Sequence, residues 1–495
     1  MNMPINSRAD ASTADASDRP RQPHTTAAPP RPLHRGDAGR TSPTGAAADM
    51  VDQAANGTSH SPALNPTGET PNGKGGEGGT VEEVNPSGST GAGLTGAGLR
   101  SSGGGGGLAA SGDGVIEAPR GLAGVVVTRT AIGDVRGGEG FYHYRQYSAV
   151  ELAQKRSFED VWYLMVHGAL PDAGQSAEFR RQTAALRSIP DAVNGVLPAL
   201  AEASARSGPL AGLRTALSLF GAAEGFLPVY DTDGARRRAE TLAACAVTPT
   251  LLTALHRLGR RLEPVAPRED LPYAANYLYM LTGVEPEPAY ARAVEQYLIS
   301  TIDHGFNAST FTARVITSTG ADVAACLAGA VGALSGPLHG GAPSRALDTL
   351  DAIGSPERIG SWIRERVLAG ERIMGFGHPV YRTEDPRSRM LRGIAEQFGG
   401  PRVEFAVEVE RQVEAILAEL KPGRALHTNV EFYAGVVMEL CGLPREMFTP
   451  TFASARVIGW SANILEQAED SKIIRPAARY VGPVPPVPVP EPIRD

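Results

Sequence analysis

The first 114 residues contain no Phe, Tyr, Trp or Cys, and all 29 aromatic residues of the 495-residue chain lie from Phe141 onward. This stretch is rich in Gly, Ser, Thr, Pro, Ala and Asn and includes the run Gly103–Gly107. Such a composition cannot bury enough apolar surface to offset chain entropy. Residues 1–114 are therefore expected to form a disordered, low-complexity tail. The 381 residues that follow suffice for a sizeable core. Cysteine is scarce: Cys245, Cys326 and Cys441 are far apart and odd in number. That excludes a disulfide framework and a cysteine metal cluster, and fits a reducing compartment. An excess of positive charge is also missing. The net charge is −7 and the pI about 5.9, which points away from nucleic acid and from membrane surfaces.

Other absences narrow the chemistry. The N-terminus has no apolar h-region, and Asp10, Asp15 and Asp18 argue against a transit peptide. Cytoplasmic residence is the expectation. The longest uncharged run, Val323–Ser344, has 22 residues, long enough to suggest a membrane span. It consists largely of Ala and Gly and contains Pro337 and His339, so a soluble helix followed by a functional loop is the better reading. The chain has no Walker-type loop, no zinc-ligand spacing and no G-x-S-x-G elbow.

What is present is helical periodicity. Phe158, Val161, Trp162, Leu164 and Met165 recur at helical spacing within Ser157–Gly168, and Leu213, Ala216, Leu217 and Phe220 recur within Gly212–Ala223. Helices are also expected over Asp270–Leu281, Pro288–Ile302 and Ile363–Glu371. Over Glu404–Leu420 an apolar face (Ala406, Val409, Val413, Ile416, Leu417, Leu420) opposes Glu408, Glu410, Arg411 and Glu414. A short β-like run opens the folded part at Gly121-Leu-Ala-Gly-Val-Val-Val-Thr. No sustained period-2 pattern and no βαβ alternation follows, so the fold class is all-α. Six of the ten residues in Pro483–Pro492 are proline, which predicts an extended, solvated end.

Several polar residues stand where packing does not explain them. Met374–Arg387 places His378 after Gly375 and Gly377, with Arg382 and Arg387 downstream. Glycines let backbone approach a ligand, and arginines offer forked donors for carboxylate or phosphate. His339 is bracketed by Gly336, Pro337, Gly340 and Gly341, which suits an accessible imidazole better than core packing. Asp303-His304-Gly-Phe-Asn-Ala-Ser-Thr puts polar groups at the end of an apolar helix, where capping alone explains them equally well. Glu431 and Arg456 are single charges inside apolar runs, and a buried unpaired charge is costly. Arg475 follows Ile473-Ile474. Several arginines imply a di- or tricarboxylate or a phosphate ligand. Imidazoles with a carboxylate supply proton donors and an acceptor. The chemistry suggested is proton abstraction beside a carbonyl, with the developing anion held by hydrogen bonds.

Residues 121–482 resemble the citrate synthase family, in its shorter bacterial form that includes 2-methylcitrate synthases. The resemblance rests on Ser335-Gly-Pro-Leu-His-Gly-Gly-Ala, Gly375-Phe-Gly-His-Pro-Val-Tyr-Arg with Asp385-Pro-Arg, Asp303-His-Gly-Phe-Asn-Ala-Ser-Thr, Asn429-Val-Glu-Phe-Tyr and Phe448-Thr-Pro-Thr-Phe-Ala-Ser-Ala-Arg. It implies a two-domain helical fold: a large domain from 115–342 and 443–482, a smaller mobile domain over 343–442, and a Pro-rich tail over 483–495. It also implies an acyltransferase that condenses acetyl-CoA with oxaloacetate and hydrolyses citryl-CoA to citrate and CoA. His339, His378 and Glu431 would be catalytic. His304, Arg387 and Arg456 would hold oxaloacetate, with Arg475 arriving from the second subunit of a homodimer. Gly375, Phe376, Gly377 and Arg382 would face CoA. No metal and no cofactor is implied, acetyl-CoA being a substrate. Three positions depart from the family pattern: Glu431 stands for the usual Asp, Thr301 for a histidine, and Gly208-Pro-Leu for His-Pro-Met. A 2-methylcitrate synthase using propionyl-CoA is an alternative. So is a binding or regulatory protein with little turnover, for which Glu431 is the argument.

Overall fold

The structure is a computed structural model that describes residues 116–490 except 338, 341, 379, 424 and 425, and leaves the side chains of 342–344 undescribed. The tail expected over 1–114 and the last five residues of the Pro-rich end lie outside the described residues.

Three short antiparallel strands come first: β1 (Gly133–Arg136), β2 (Phe141–Tyr144) and β3 (Tyr147–Ser148), with Gly133 opposite Tyr144 and His143 opposite Ser148. Helices follow: α1 (Ala149–Lys155), α2 (Phe158–His167), α3 (Ala173–Ala185), α4 (Asp191–Asn194), α5 (Leu197–Ala203), α6 (Pro209–Ala223), α7 (Gly234–Gly259), α8 (Tyr273–Thr282) and α9 (Pro288–Thr301). Next come α10 (Ala308–Thr317), α11 (Val323–Leu334), α12 (Ala342–Ile353), α13 (Ile359–Leu368), α14 (Pro386–Phe398), α15 (Pro401–Leu420), α16 (Val430–Leu440) and α17 (Phe448–Gln467). The described residues are mostly helical, as expected.

Local chemistry sets many of these boundaries. Ser157 caps α2 through Asp160 N, and Gly168 ends it in the left-handed region. Asp172 and Gln175 form a reciprocal capping box on α3. Pro occupies the first turn of α6, α9, α14 and α15, where its missing N–H costs nothing.

The β-like run over Gly121–Thr128 is not a strand. It is a short 3-10 turn at Arg120–Leu122 followed by coil, with Val126 and Val127 exposed. Among the described residues no strand lies beside those valines to share their backbone groups. The strands lie further on, in Phe-Tyr-His-Tyr, where Tyr142 and Tyr144 are buried and their neighbours are not. Four consecutive ring side chains conceal that alternation.

Two sets of helices build the molecule. In one, α17 runs through the interior and packs on α2, α7, α9, α10 and α11. It is buried over most of its length, including Trp460, Ser461 and Arg456. Helix α7 was not evident from periodicity because Ala244–His256 is buried on every side. In the other set, α14 and α12 pack on α16, and α13 on α15. The sets meet where α9 touches α14 and α16 and where α17 touches α12. One glycine permits the closest approach: a Cβ at Gly459 would stand 2.0 Å from Ile302 O, so α17 presses against the chain that leads into Asp303 and His304. Among the described residues, no helix is long and apolar enough to cross a membrane.

Candidate active site

The site is built where these helix sets meet. Asp385 caps α14, and its carboxylate takes three hydrogen bonds from Arg387: backbone N (3.0 Å) and Nε (3.0 Å) to Oδ1, and Nη2 (2.8 Å) to Oδ2. Oδ2 also accepts from Val430 N, at 3.1 Å, so one buried carboxylate fixes both Arg387 and the start of α16. Beside Asp385 the Arg387 guanidinium stays charged despite burial; its pKa is raised. The rings of Tyr142 and Tyr381 each lie 5.8 Å from Arg387 Cζ.

His304 stands at the end of the segment after α9. Its Nε2 is 2.9 Å from Tyr381 Oη, and its ring is 5.5 Å from that of His378. Burial, reinforced by Arg387, His378 and Arg456, pushes its pKa well below the ordinary range. His378 is oriented by its own backbone: Nδ1 accepts from Val380 N (3.0 Å) and Tyr381 N (3.1 Å). An accepting Nδ1 makes the neutral ring an Nε2–H donor. That Nε2 lies 3.4 Å from Arg387 Nη2. Both atoms are donors, so they cannot bond each other. They can instead share an acceptor oxygen placed between them, from water or from a ligand. Burial and Arg387 push the His378 pKa down to about 4, so the donor is neutral imidazole at pH 7.

His339 sits in the turn after α11, with Nε2 2.8 Å from Ser309 Oγ. Ser309 also accepts from Trp460 Nε1 (3.1 Å) and lies 2.8 Å from Asn307 Oδ1, the N-cap of α10. Its single proton can go to Asn307 or to His339. Burial and Arg456 push the His339 pKa down to about 4.

Arg456 is buried on α17 and donates from Nε to Thr301 O at 2.8 Å, with its guanidinium 4.5 Å from the Phe452 ring. Its amino groups have no hydrogen-bond acceptor among the described residues, so they are available to a ligand anion. Burial lowers its pKa, while Asp303 raises it. Asp303 is itself buried, with Oδ1 lacking a hydrogen-bond partner in the described structure. Burial pushes it up to about 6, against the pull of Arg456 and Arg314.

Glu431 is the second residue of α16, and Asn429 Oδ1 caps its N–H at 3.0 Å. The carboxylate has no ion-pair partner among the described residues. Burial lifts its pKa to about 7, with Arg387 and Arg456 pulling down and Asp385 adding to the rise. A carboxyl that titrates near neutrality is suited to proton transfer. The loop before His378 is pinned to the strand-like segment before Glu431. Phe376 pairs with Thr428, Gly377 N donates to His427 O (2.8 Å) and Asn429 N to Gly375 O (2.9 Å). Gly375 (φ 88°) and Gly377 (φ 81°) adopt the left-handed backbone that this turn requires. The capping Asn429 reaches back to Gly377 O at 3.0 Å. The base candidate and the His378 loop are therefore held by the same few hydrogen bonds.

Thus His304, His378 and Arg387 converge in direct contact. His339, Arg456 and Glu431 are tied to that cluster electrostatically. Phe376 packs on Phe432, 5.2 Å between ring centres. Arg382 is exposed, its backbone N donating to Gly137 O. Arg475 is also exposed, in the segment beyond α17, and no hydrogen bond links it to the cluster among the described residues. Sequence reasoning missed the orienting roles of Tyr142, Ser309, Tyr381 and Asp385. Asp385-Pro-Arg387 carried a readable N-cap signal. Tyr142 carried none, because its strand is remote in sequence from everything it touches. A separate cavity of about 600 Å³ lies between Tyr142, Val150 and Gln296 on one side and Pro386 and Met390 on the other. It contains none of the three imidazoles. The three cysteines are buried and free, and burial pushes each thiol up to about 12, which leaves them unreactive.

Comparison with known proteins adds an independent finding. The family model described as "Citrate synthase, C-terminal domain" matches residues 121–477. The chain is 40% identical over 370 residues to "Putative citrate synthase 2" of Mycobacterium tuberculosis, covering 74% of this chain and 93% of that protein. It is 38% identical over 366 residues to the "2-methylcitrate synthase" of the same organism, covering 73% and 90%. Among solved structures, the ternary complex of carboxymethyl coenzyme A and oxaloacetate with citrate synthase from Thermoplasma acidophilum superposes with a TM-score of 0.70 at 28% identity, over 76% of this chain and 98% of that one.

Proposed function

We propose that this chain, which belongs to the citrate synthase family, condenses acetyl-CoA with oxaloacetate and hydrolyses the citryl-CoA formed to citrate and CoA. The observation that carries this reading is the paired donors of His378 and Arg387, 3.4 Å apart beside Glu431 and Arg456. A 2-oxo dicarboxylate supplies what they lack: a ketone oxygen for His378 Nε2–H and carboxylates for Arg387, Arg456 and His304.

The steps follow from the protonation states. Ionised Glu431 takes a proton from the methyl group of the thioester. The charge that develops on the thioester oxygen is held by a hydrogen bond from His339. For that bond to come from Nδ1–H, Ser309 must give its proton to His339 Nε2 rather than to Asn307. The enol carbon attacks the ketone carbon of oxaloacetate, and His378 Nε2–H gives its proton to the forming alkoxide. Water then cleaves the thioester, releasing CoA. Gly375–Gly377 and Arg382 flank the CoA end. The helices of 343–442 close over both substrates, so that water enters only after condensation. Arg475 reaches oxaloacetate from the second subunit of a homodimer.

Similarity to citrate synthases and to a 2-methylcitrate synthase is nearly equal, so propionyl-CoA is the second substrate to test. One methylene is worth only about 1–3 kcal/mol of discrimination. Thiol release is measured with oxaloacetate plus acetyl-CoA and then plus propionyl-CoA, for wild type and Glu431→Gln. The expected result is release with acetyl-CoA that falls about 10²–10⁴-fold in the variant. Faster turnover of propionyl-CoA reassigns the substrate. No release with either thioester leaves a binding protein, and equal rates in wild type and variant remove Glu431 from the mechanism.

A further inference from the structure

Away from the imidazoles, a cavity of about 240 Å³ lies between the β2–β3 turn, the end of α2, the start of α7 and the end of α17. Three arginines line it: Arg145, Arg237 and Arg238. Arg145 has positive φ (51°) and spends its amino groups on two carbonyls, Nη1 on Ala131 O (3.1 Å) and Nη2 on Met165 O (2.6 Å). Its buried Nε–H has no partner in the described structure. Arg237 gives Nη1 to Val229 O and Thr232 O (2.8 Å each) and Nη2 to Glu469 (2.8 Å). Its Nε–H is likewise buried and unpartnered. Arg238 is exposed at the rim, and its side chain makes no hydrogen bond or ion pair among the described residues; its carbonyl accepts from Thr241 Oγ1 at 2.8 Å.

The two carboxylates on the wall do not balance these charges. Glu466 is engaged by buried Arg314 and by Ala131 N (2.7 Å). Glu469 is the partner of Arg237 and is largely exposed. With Arg314 counted, four guanidinium groups face two carboxylates. Buried N–H groups rarely stay unpaired, and an unpaired guanidinium donor costs more than a neutral one. Those two N–H groups are themselves enclosed, so an anion in the cavity is met by the remaining amino N–H groups and by Arg238, and the surplus of guanidinium over carboxylate charge favours it. None of these residues belongs to the cluster assigned to oxaloacetate and acyl-CoA.

We infer that this cavity is a second anion site, which takes a phosphate group, free or carried on a small ester, between Arg145, Arg237 and Arg238. Forked guanidinium donors suit a tetrahedral oxyanion. The site abuts the helix that carries Arg456. A ligand there stabilises the native state by mass action.

The test uses the full chain. Melting temperature is measured against sodium phosphate, with sodium chloride at equal ionic strength as reference, in wild type, Arg238→Gln, Arg145→Gln and Arg456→Gln. The expected result is a saturable rise in wild type and in Arg456→Gln. In Arg238→Gln the half-saturating concentration should increase at least about tenfold, with thiol-release turnover unchanged. The Arg238 side chain makes no hydrogen bond or ion pair among the described residues, so its variant keeps the test valid even if Arg145→Gln unfolds. Glycerol phosphate in a parallel series separates the sources. A response to both anions supports a phosphate ester, and a response to inorganic phosphate alone supports the free ion. No saturable rise overturns the inference. So does a rise that survives Arg238→Gln unchanged, or one that disappears in Arg456→Gln and therefore belongs to the catalytic cluster.

Discussion

Glu431 carries the sharpest expectations at the scale of one residue. Burial raises its pKa to about 7, while His339 and His378 are pushed down to about 4. Above pH 5 both imidazoles are neutral donors, and of these three groups the Glu431 carboxyl is the one that changes state near neutrality, with Asp303 ionising about a unit lower. The acid limb of kcat/KM should therefore be centred near pH 7, since the free enzyme's base must be ionised. A limb near 4.5 would mean that Glu431 is not the titrating group. The same shift bears on stability. A carboxyl whose folded pKa is above its unfolded one adds nothing unfavourable below pH 4.5. It destabilises the fold progressively as pH rises through 7, because the unfolded chain ionises first. Glu431→Gln removes that cost. In urea titrations the variant should be more stable than wild type at pH 8, by on the order of 1–3 kcal/mol, and no more stable at pH 4. Such a gain against lost turnover is the trade expected of a group held for function. Glu431 was visible in the sequence as a charge in an apolar run. Its environment was not, because the groups that set its pKa come from α14 and α17.

At the scale of elements, the contact between α17 and the end of α9 decides the geometry. Gly459 lets Ile302 O come within 2.0 Å of where a Cβ would stand, and the chain continues from there into Asp303 and His304. Gly459→Ala must push the two apart. Overpacking of this kind costs about 1–3 kcal/mol. The variant should melt earlier, and KM for oxaloacetate should rise as His304 and Arg456 separate. A variant of unchanged stability and KM would show that the backbone has slack at this crossing. Helix type was legible for α2, α6, α8, α9, α11, α13 and α15. The amphipathic stripe over Glu404–Leu420 is α15, and the pattern at Ser157–Gly168 is α2, down to its Ser cap and Gly terminus. Among the elements that escaped, α7 is buried on all sides and β2 is hidden by like side chains. Helix α14 was not among the expected helices, because the Asp-Pro-Arg signal that starts it also suggested anion binding. It does both: Asp385 caps the helix and holds Arg387 with the same carboxylate.

Arg475 raises the question that only the whole molecule answers. It is exposed on its own chain, and no hydrogen bond links it to the local cluster among the described residues. In the proposed homodimer it serves the other subunit. Arg475→Gln alone should raise KM for oxaloacetate. Co-refolded with Glu431→Gln, it should regain activity, because one site of the mixed dimer then combines an intact Glu431 with an intact Arg475. No recovery in the mixture would place Arg475 outside the catalytic unit. The sequence by itself determined the helical class, the family and the identity of the chemically distinctive side chains, because periodicity, caps and motif order are local properties of the chain. Tertiary structure alone decided which of them meet. The pairing of His378 with Arg387 as two donors, the carboxylate of Asp385 shared between Arg387 and α16, the pKa of Glu431 and the arginine-lined second cavity all arise between segments far apart in sequence. Burial and charge proximity, which set protonation and unmet hydrogen bonds, exist only once the chain has packed.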